Sequence, residues 1–439
     1  MTLVTEITRK VDLRMDACTA IVGINWGDEG KGRMVDLLTE AFDIVVRYQG
    51  GGNAGHTIVN KFGEFSLHLL PSGVFRKNVV NVLGNGVALD PENLLEEIQR
   101  IREKDVEITP DNVMISERAS LLLPWHRQMD ALEEARLQDK KYDSTKKGIA
   151  PFYSDKYQKK TILAGELFYP DLLRQHLNDL REWKNLVLTG VYGVAPVSEE
   201  EIEAWIEQYC EPLKPFIRDT STYLRESLSD HKKILFEGQL GALRDLDYGI
   251  YPYTTSSNVL SSYAPIGSGM PGVEIDRVIG VIKSYSSCVG AGPFVSEYFG
   301  DEAERFRQIV GEYGDRTHRV GPIDLVATRY GVRTQAATEI ALTKLDVLGK
   351  LEEIPLCVRY KLDGVETDQM PFPTVLHKCE PVIETMPGWQ SDISGIRNWW
   401  DLPEEAKDYV KRIEDTIGVV IKWISVGPER HSIIRRGQI

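Results

Sequence analysis

The run Thr19-Ala20-Ile21-Val22-Gly23-Ile24-Asn25-Trp26-Gly27-Asp28-Glu29-Gly30-Lys31-Gly32-Arg33 constrains this chain more than any other. A continuous apolar segment ending in glycines marks a buried strand that feeds a tight turn. Met34-Val35-Asp36-Leu37-Leu38 follows at helical spacing. Between a strand and a helix, glycines let backbone N–H groups turn toward an anion, and Lys31 can reach the same charge. Such glycines also suit an ordinary βα turn; a Gly-Lys pair after the strand turns the reading to phosphate. The loop is not a Walker A sequence, which needs Gly at position 25 and Ser or Thr at 32 where this chain has Asn25 and Gly32. A carboxylate such as Asp28 is repelled by phosphates unless it holds a cation or abstracts a proton, and its plainer use is to cap a turn.

The same rhythm repeats along the chain. Ile44-Val45-Val46-Arg47-Tyr48 runs into Gly50-Gly51-Gly52-Asn53-Ala54-Gly55-His56-Thr57, and Val79-Val80-Asn81-Val82-Leu83 runs into Gly84 and Gly86. Strand, Gly turn, helix, strand predicts an α/β fold with a large, mostly parallel central sheet and flanking helices. Further strands are expected at 234–236, 278–282, 340–343 and 419–421, and a long amphipathic helical stretch at 199–229. Residues 1–16 read as a polar N-terminal extension and 17–439 as one domain with inserted helical and loop subregions. Ligands of such sheets bind at the carboxyl ends of the strands.

Charge limits the partners. Of 439 residues, 52 are Lys or Arg and 66 Asp or Glu, a net charge of -14. That balance argues against a nucleic-acid or membrane-surface binder, which needs a basic face. Five widely spaced cysteines without a CxxC fit a reducing compartment, and no apolar run is long enough for a membrane span, so a cytoplasmic location is expected.

Three more segments carry chemistry. His56 at a strand end can give a proton to a leaving phosphate, though a lone histidine also serves structure. Residues 144–156, with Lys159 and Lys160 beyond them, mix hydroxyls and lysines as a monophosphate loop does, and as a basic surface loop does. Thr343-Lys344-Leu345-Asp346 follows an apolar strand, so Lys344 can pack on a guanine face while Asp346 accepts from its N1 and N2.

Together these segments resemble the adenylosuccinate synthetase family, from Ala20 to about Arg430. Trp26-Gly27-Asp28-Glu29-Gly30-Lys31-Gly32, the Val46–Thr57 stretch, Leu69-Leu70-Pro71-Ser72-Gly73, Tyr251-Pro252-Tyr253-Thr254-Thr255-Ser256-Ser257-Asn258, Val289-Gly290-Ala291-Gly292-Pro293-Phe294, Leu342–Leu348 and Ser425-Val426-Gly427-Pro428 occur in the family's order. The resemblance implies a P-loop-like GTP-binding ligase fold and a reaction. GTP, IMP and L-aspartate become GDP, phosphate and adenylosuccinate through 6-phosphoryl-IMP, with GTP as co-substrate and one Mg²⁺ per subunit. It implies that Asp28 takes the N1 proton of IMP, that His56 acts as acid toward GDP, and that Lys31 binds the γ-phosphate. Asp28 and the Gly55 carbonyl would ligate Mg²⁺. GTP contacts carry over to Gly27, Glu29, Gly30, Lys31, Gly32, Lys344, Asp346, Ser425 and Gly427. IMP contacts carry over to Asn53, Thr145, Lys159, Gln239, Thr255, Val289 and Arg319. A homodimer is implied, with Lys159 reaching the neighbouring site from a position where the family has Arg.

The chain departs from the family at three places. Glu237-Gly238-Gln239-Leu240-Gly241 stands where the family has Glu-Gly-Ala-Gln-Gly, so the IMP-contacting Gln is displaced by one: either Gln239 substitutes for it or the contact is lost. Cys288 stands where the family has Arg. The aspartate loop Gly-Ala-Thr-Thr-Gly-Arg, with arginines and Gly-Trp beyond it, reads Gly314-Asp315-Arg316-Thr317-His318-Arg319-Val320-Gly321-Pro322 here, with three residues, an Arg among them, missing after Arg319. Thr317 and Arg319 match the second Thr and first Arg, and Arg316 replaces a Thr and restores a charge. Bidentate Arg–carboxylate contacts are strong recognition elements, so this loop decides the amine donor. Two other readings stand beside the first: a paralogous ligase of the same mechanism with another 6-oxopurine nucleotide or amine, and a non-catalytic nucleotide-binding regulatory module. Retention of Asp28, Lys31 and His56 together speaks against the last.

Overall fold

Buried apolar strands closed by glycine turns assemble into a ten-stranded sheet. The computed structural model describes residues 17–60, 63–312 and 318–437. In chain order the sheet strands are β1 (Cys18–Gly23), β2 (Ile44–Arg47), β3 (Val80–Leu83), β4 (Val113–Ser116), β5 (Ile217–Arg218), β6 (Ile234–Gly241), β7 (Arg277–Lys283), β8 (Glu339–Thr343), β9 (Ile421–Ser425) and β10 (Ile433–Arg435). Their spatial order is β10-β9-β8-β7-β1-β6-β2-β3-β4-β5. Every neighbouring pair is parallel except β9 with β10.

Side chains alternate across a strand with a period of two, and this sheet is covered on both faces. Ala20, Val22, Val46, Phe236 and Val278 gather in one buried cluster, and Ile21, Val45, Leu235, Ile279 and Ala341 in another. Helix α1 (Lys31–Leu38) adds Met34 and Val35 to the second cluster. Two further helices matter below, α2 (Ile149–Tyr157) and α3 (Pro170–Gly190). A smaller sheet of Ile323–Asp324, Glu353–Leu362, Val365–Thr367 and Glu380–Pro387 lies outside the large one.

The expected helical stretch at 199–229 needs correction. It is a helix at Glu199–Trp205, a π turn at Ile206–Cys210, a 3-10 turn at Glu211–Phe216, then β5, then a helix at Thr220–Ser229. Pro212 and Pro215 lack the N–H that an α-helix needs, and Ile217–Arg218 pairs instead with the edge of the sheet. The last expected strand starts at Ile421 rather than Val419, because Gly418 caps the preceding helix in the left-handed conformation (φ 75°). All five cysteines are free. No helix among the described residues is long and apolar enough to cross a membrane. The expected extension at 1–16 lies outside the described residues.

Candidate active site

The carboxyl ends of β1, β2, β6, β7, β8 and β9 carry nearly every residue singled out from the sequence. After β1 the chain closes around a carboxylate of its own. The N–H groups of Asn25 and Gly27 donate to Glu29 Oε1 at 3.0 and 2.9 Å, and Lys31 Nζ lies 2.6 Å from Glu29 Oε2. Both side chains of that ion pair are 3% exposed. Asp28 turns the other way, at φ 60°, with its side chain half exposed. An Asp tolerates this left-handed conformation better than most residues. His318 Nε2 stands 3.7 Å from Asp28 Oδ2. Burial alone would raise the Asp28 pKa, but the His318 contact and the charges of Lys283 and Lys31 hold it at about 2. Asp28 is therefore ionised at neutral pH.

Gly32 explains why the loop departs from Walker A. A Cβ there would lie 2.8 Å from the His56 Cβ, so the missing side chain is what lets His56 approach the loop after β1. His56 Nδ1 pairs with Glu237 Oε1 at 2.5 Å, and Glu237 also accepts from the Ser72 N–H at 2.8 Å and hydroxyl at 2.6 Å. Burial lowers the His56 pKa against the pull of Glu237. The Glu237 pKa is also lowered: burial opposes ionisation, but the His56 bond and the nearby Arg47 charge prevail. Both directions describe one state, an ionised Glu237 holding a neutral imidazole by its Nδ1–H. His56 Nε2 is then left buried and has no partner among the described residues. The role of Glu237 was not drawn from the sequence. A charged residue in the apolar run Ile234-Leu235-Phe236 was the available signal, since buried charges occur only when paired.

Gln239 reaches the glycine-rich loop after β2. Its Oε1 accepts from Arg47 at 2.5 Å, and its Nε2 donates to Gly51 O at 2.8 Å and Asn53 Oδ1 at 3.1 Å. Leu240, in the left-handed conformation (φ 63°), makes that turn. The 144–156 segment is a loop only as far as Gly148; α2 begins at Ile149, with Gly148 as its left-handed N-cap. Asp130 accepts from Ser144 Oγ at 2.6 Å and Gly148 N–H at 2.8 Å, which fixes the loop bearing the half-buried Thr145. Tyr153 of α2 donates to Gly86 O at 2.8 Å and accepts from Gly50 N–H at 3.1 Å, so helix and loop dock as one unit. Lys159, just past α2, is exposed. The Thr255 hydroxyl is buried with no partner among the described residues.

The guanine-contact candidates are bound to the loop after β1 by two side chains. Thr343 Oγ1 donates to Glu29 O at 2.7 Å. Arg33 donates to Ser425 Oγ at 2.5 Å and Ser432 O at 3.3 Å, and also contacts Glu429 O. Ser425 Oγ in turn donates to Gly427 O at 3.2 Å. Burial raises the Asp346 pKa, partly opposed by the Arg33 and Lys344 charges. Lys344 (φ 59°) turns its ammonium to Glu312, 3.5 Å away.

Of the aspartate loop, Gly314, Asp315, Arg316 and Thr317 lie outside the described residues. Arg319 is described, and its guanidinium faces Glu297: Nε to Oε1 is 2.8 Å, and a second nitrogen contacts Oε2. Its remaining terminal nitrogen donates to Gly290 O at 3.1 Å and Gly292 O at 2.8 Å.

The chain is similar to proteins of one family along nearly its whole length. The family model of adenylosuccinate synthetase matches residues 20–434. The chain is 43% identical to the adenylosuccinate synthetase of Halothermothrix orenii over 420 residues, 95% of this chain and 98% of that one. It is 46% identical to adenylosuccinate synthetase 2 of Pseudoalteromonas translucida over 421 residues, 95% of this chain and 99% of that one. Its fold matches the fully ligated adenylosuccinate synthetase of Plasmodium falciparum with a TM-score of 0.89 at 35% identity, covering 96% of this chain and all of the other. A cyanophage S-2L succinoaminodeoxyadenylate synthetase shares the fold at a TM-score of 0.63 and 18% identity, covering 97% of both chains.

Proposed function

The chain belongs to the adenylosuccinate synthetase family, and from that premise we propose which of its residues carry out the GTP-dependent joining of IMP and L-aspartate. The observation that carries the proposal is the meeting of an ionised Asp28, a buried Lys31 and a His56 with a bare Nε2 around Gly32.

The C6 oxygen of IMP is a poor leaving group until it is phosphorylated. Asp28 removes the N1 proton, so electron density moves to O6, which attacks the γ-phosphorus of GTP. Lys31 and the Gly27–Gly32 amides, with Gly30 and Glu29 among them, hold the phosphates. The free protein keeps His56 neutral, and an anionic phosphate near Nε2 favours the protonated form that can assist GDP departure. Glu237 keeps the ring oriented and takes up the positive charge. The aspartate amine then displaces phosphate from C6.

Asn53, Gln239, Thr255, Val289 and Thr145 form the IMP side, and Lys344, Asp346, Ser425 and Gly427 the guanine side. Arg319 acts from a guanidinium already paired with Glu297, with Arg316 and Thr317 as its companions toward the aspartate carboxylates. The residues present fit Mg²⁺: Asp28 is ionised and half exposed, and one carboxylate and the exposed Gly55 carbonyl make a set that substrate phosphates complete. When bound, the ion neutralises phosphoryl charge. Gly55 admits no side chain without crowding, since a Cβ would lie 2.8 Å from Ser66 Oγ. The working unit is a cytoplasmic homodimer in which the exposed Lys159 reaches the neighbouring IMP phosphate as a point charge.

Mass analysis of products from IMP, GTP, Mg²⁺ and a panel of amino acids tests this. A product heavier than IMP by the aspartyl substituent is expected with aspartate. Product from another amine and none from aspartate would overturn the assignment of the amine donor.

A further inference from the structure

The loop Val289–Gly292 is held by two arginines in an alternating pattern. Arg244 donates to Val289 O at 2.7 Å and Ala291 O at 3.1 Å. Arg319 takes the carbonyls between and beyond, Gly290 O at 3.1 Å and Gly292 O at 2.8 Å. Cys288 Sγ lies between the two guanidinium groups, 3.0 Å from Arg244 and 3.9 Å from Arg319. Four consecutive carbonyls are thus occupied. In a trans peptide each N–H points opposite to the preceding carbonyl, so the amides of Gly290, Ala291 and Gly292 face away from the arginines. Gly290 (φ 87°) and Gly292 (φ 111°) are left-handed, a conformation that glycine adopts without a Cβ clash.

Arg319 is neutralised by Glu297, but Arg244 is not neutralised by any described carboxylate. Its other partner is Tyr253 O at 2.5 Å, and its own carbonyl accepts from the Thr255 N–H at 2.9 Å. Arg244 therefore ties Thr255, whose hydroxyl is buried without a described partner, to Val289. Both are IMP-contact positions in the proposed function. Position 288, where the family has Arg, is occupied here by the cysteine that Arg244 touches.

We propose that Arg244 is a positioning residue of the purine monophosphate site: it supplies from the end of β6 the cation absent at Cys288, and presets the Thr255 and Val289 segments for the nucleotide. The inference rests on the proposed IMP-binding reading. A half-buried guanidinium satisfied by carbonyls keeps its full charge, and an anionic nucleotide is the compensating partner it lacks. Leu in its place would release two carbonyls of the loop and remove the charge together.

The test combines R244L, R244K and the double variant R244L/C288R. R244L is expected to raise KM for IMP about tenfold, the loss of roughly one charged hydrogen bond, with KM for GTP changed by less than about twofold. R244K, which keeps the charge but not the fork, should fall between wild type and R244L. Adding C288R to R244L should recover most of the loss. A purely structural role would move the KM values for IMP and GTP together with the melting temperature and would show no recovery, and that result overturns the inference. If R244L does not fold, R244K alone decides, since an unchanged KM for IMP in that variant also overturns it. Calorimetry with IMP and with GMP separates this inference from the reading beneath it. Wild type binding neither nucleotide overturns both, whereas wild-type binding that R244L and R244K leave unchanged overturns only the role of Arg244.

Discussion

Two glycine-rich loops face the site, and they are satisfied in opposite senses. In the loop after β1, two amide N–H groups are occupied by the Glu29 carboxylate, which also holds Lys31. In the loop at Val289–Gly292, the carbonyls are occupied by Arg244 and Arg319. The first loop is closed on an internal anion and, in the proposed function, exchanges part of that contact for phosphate. The second has its acceptors satisfied and its amides turned away from the clamp. Glycines alone do not distinguish the two cases. The charged side chain that each loop recruits decides which backbone groups remain for a ligand.

The largest expected effect lies in the first loop but outside its closed anion contact. Asp28→Asn keeps the size and the turn, yet removes the base, and should lower kcat about a thousandfold while GTP still binds. Turnover within tenfold of wild type would remove Asp28 from proton transfer. Glu29→Gln addresses the closure itself. It leaves an acceptor for Gly27 but strands Lys31, whose side chain is 3% exposed, so a loss of about 3 kcal/mol in urea unfolding is expected. Added GTP should restore part of it, because phosphate replaces the lost anion. Equal losses with and without GTP would mean that the carboxylate is not standing where phosphate binds. Glu237→Gln should lower kcat about a hundredfold, since the imidazole loses its orienting anion. Glu237 raises the His56 pKa, so in this variant the limb of the pH–rate profile that needs protonated His56 should move to lower pH. A limb that stays in place would assign that titration to another group.

The central sheet was legible in the sequence because parallel strands buried on both faces read as apolar runs, as β1, β2, β6, β7 and β8 do. Strands β4, β5 and β10 were not foreseen. Ile217–Arg218 and Ile433–Arg435 are too short for a pattern to show, and Val113–Ser116 runs into Glu117-Arg118 rather than the glycine turn that marks β1, β2 and β3. The glycine loop after β1 and His56 were legible as motifs, and Gly32 was noticed as a departure without its cause, which is the approach of His56. The chemistry around them was less visible, because it comes from pairs far apart in the chain. His56 meets Glu237, Arg47 meets Gln239, and Cys288 meets Arg244 only after the strand order β7-β1-β6-β2 is set. Arg319 was legible only as a place in a motif; its partners Glu297, Gly290 and Gly292 follow from the folded chain.

The smallest expected effect concerns what lies between the two loops. Glu312 receives Lys283 Nζ at 2.6 Å and the Tyr285 hydroxyl, with Lys344 Nζ and His318 Nδ1 each 3.5 Å away. Lys283 ends β7, the strand that leads to Cys288, and its charge also acts on Asp28. Burial would raise the Glu312 pKa, but Lys283 and Lys344 hold it down at about 2, below its ordinary 4.5. A carboxylate depressed in the folded state stabilises the fold above its unfolded pKa, and that contribution is lost as pH falls from about 4.5 toward 2. Unlike Lys31, Lys283 has a second acceptor in Ser287 Oγ at 2.7 Å, and Glu312→Gln keeps acceptors for Lys283 and Tyr285, so at pH 7 it should cost only about 1–2 kcal/mol. Its urea midpoint should then fall less steeply than that of wild type between pH 4.5 and lower values. Parallel acid losses in the two proteins would place the acid sensitivity elsewhere. The two loops would then be coupled by the sheet alone rather than by a shared charge.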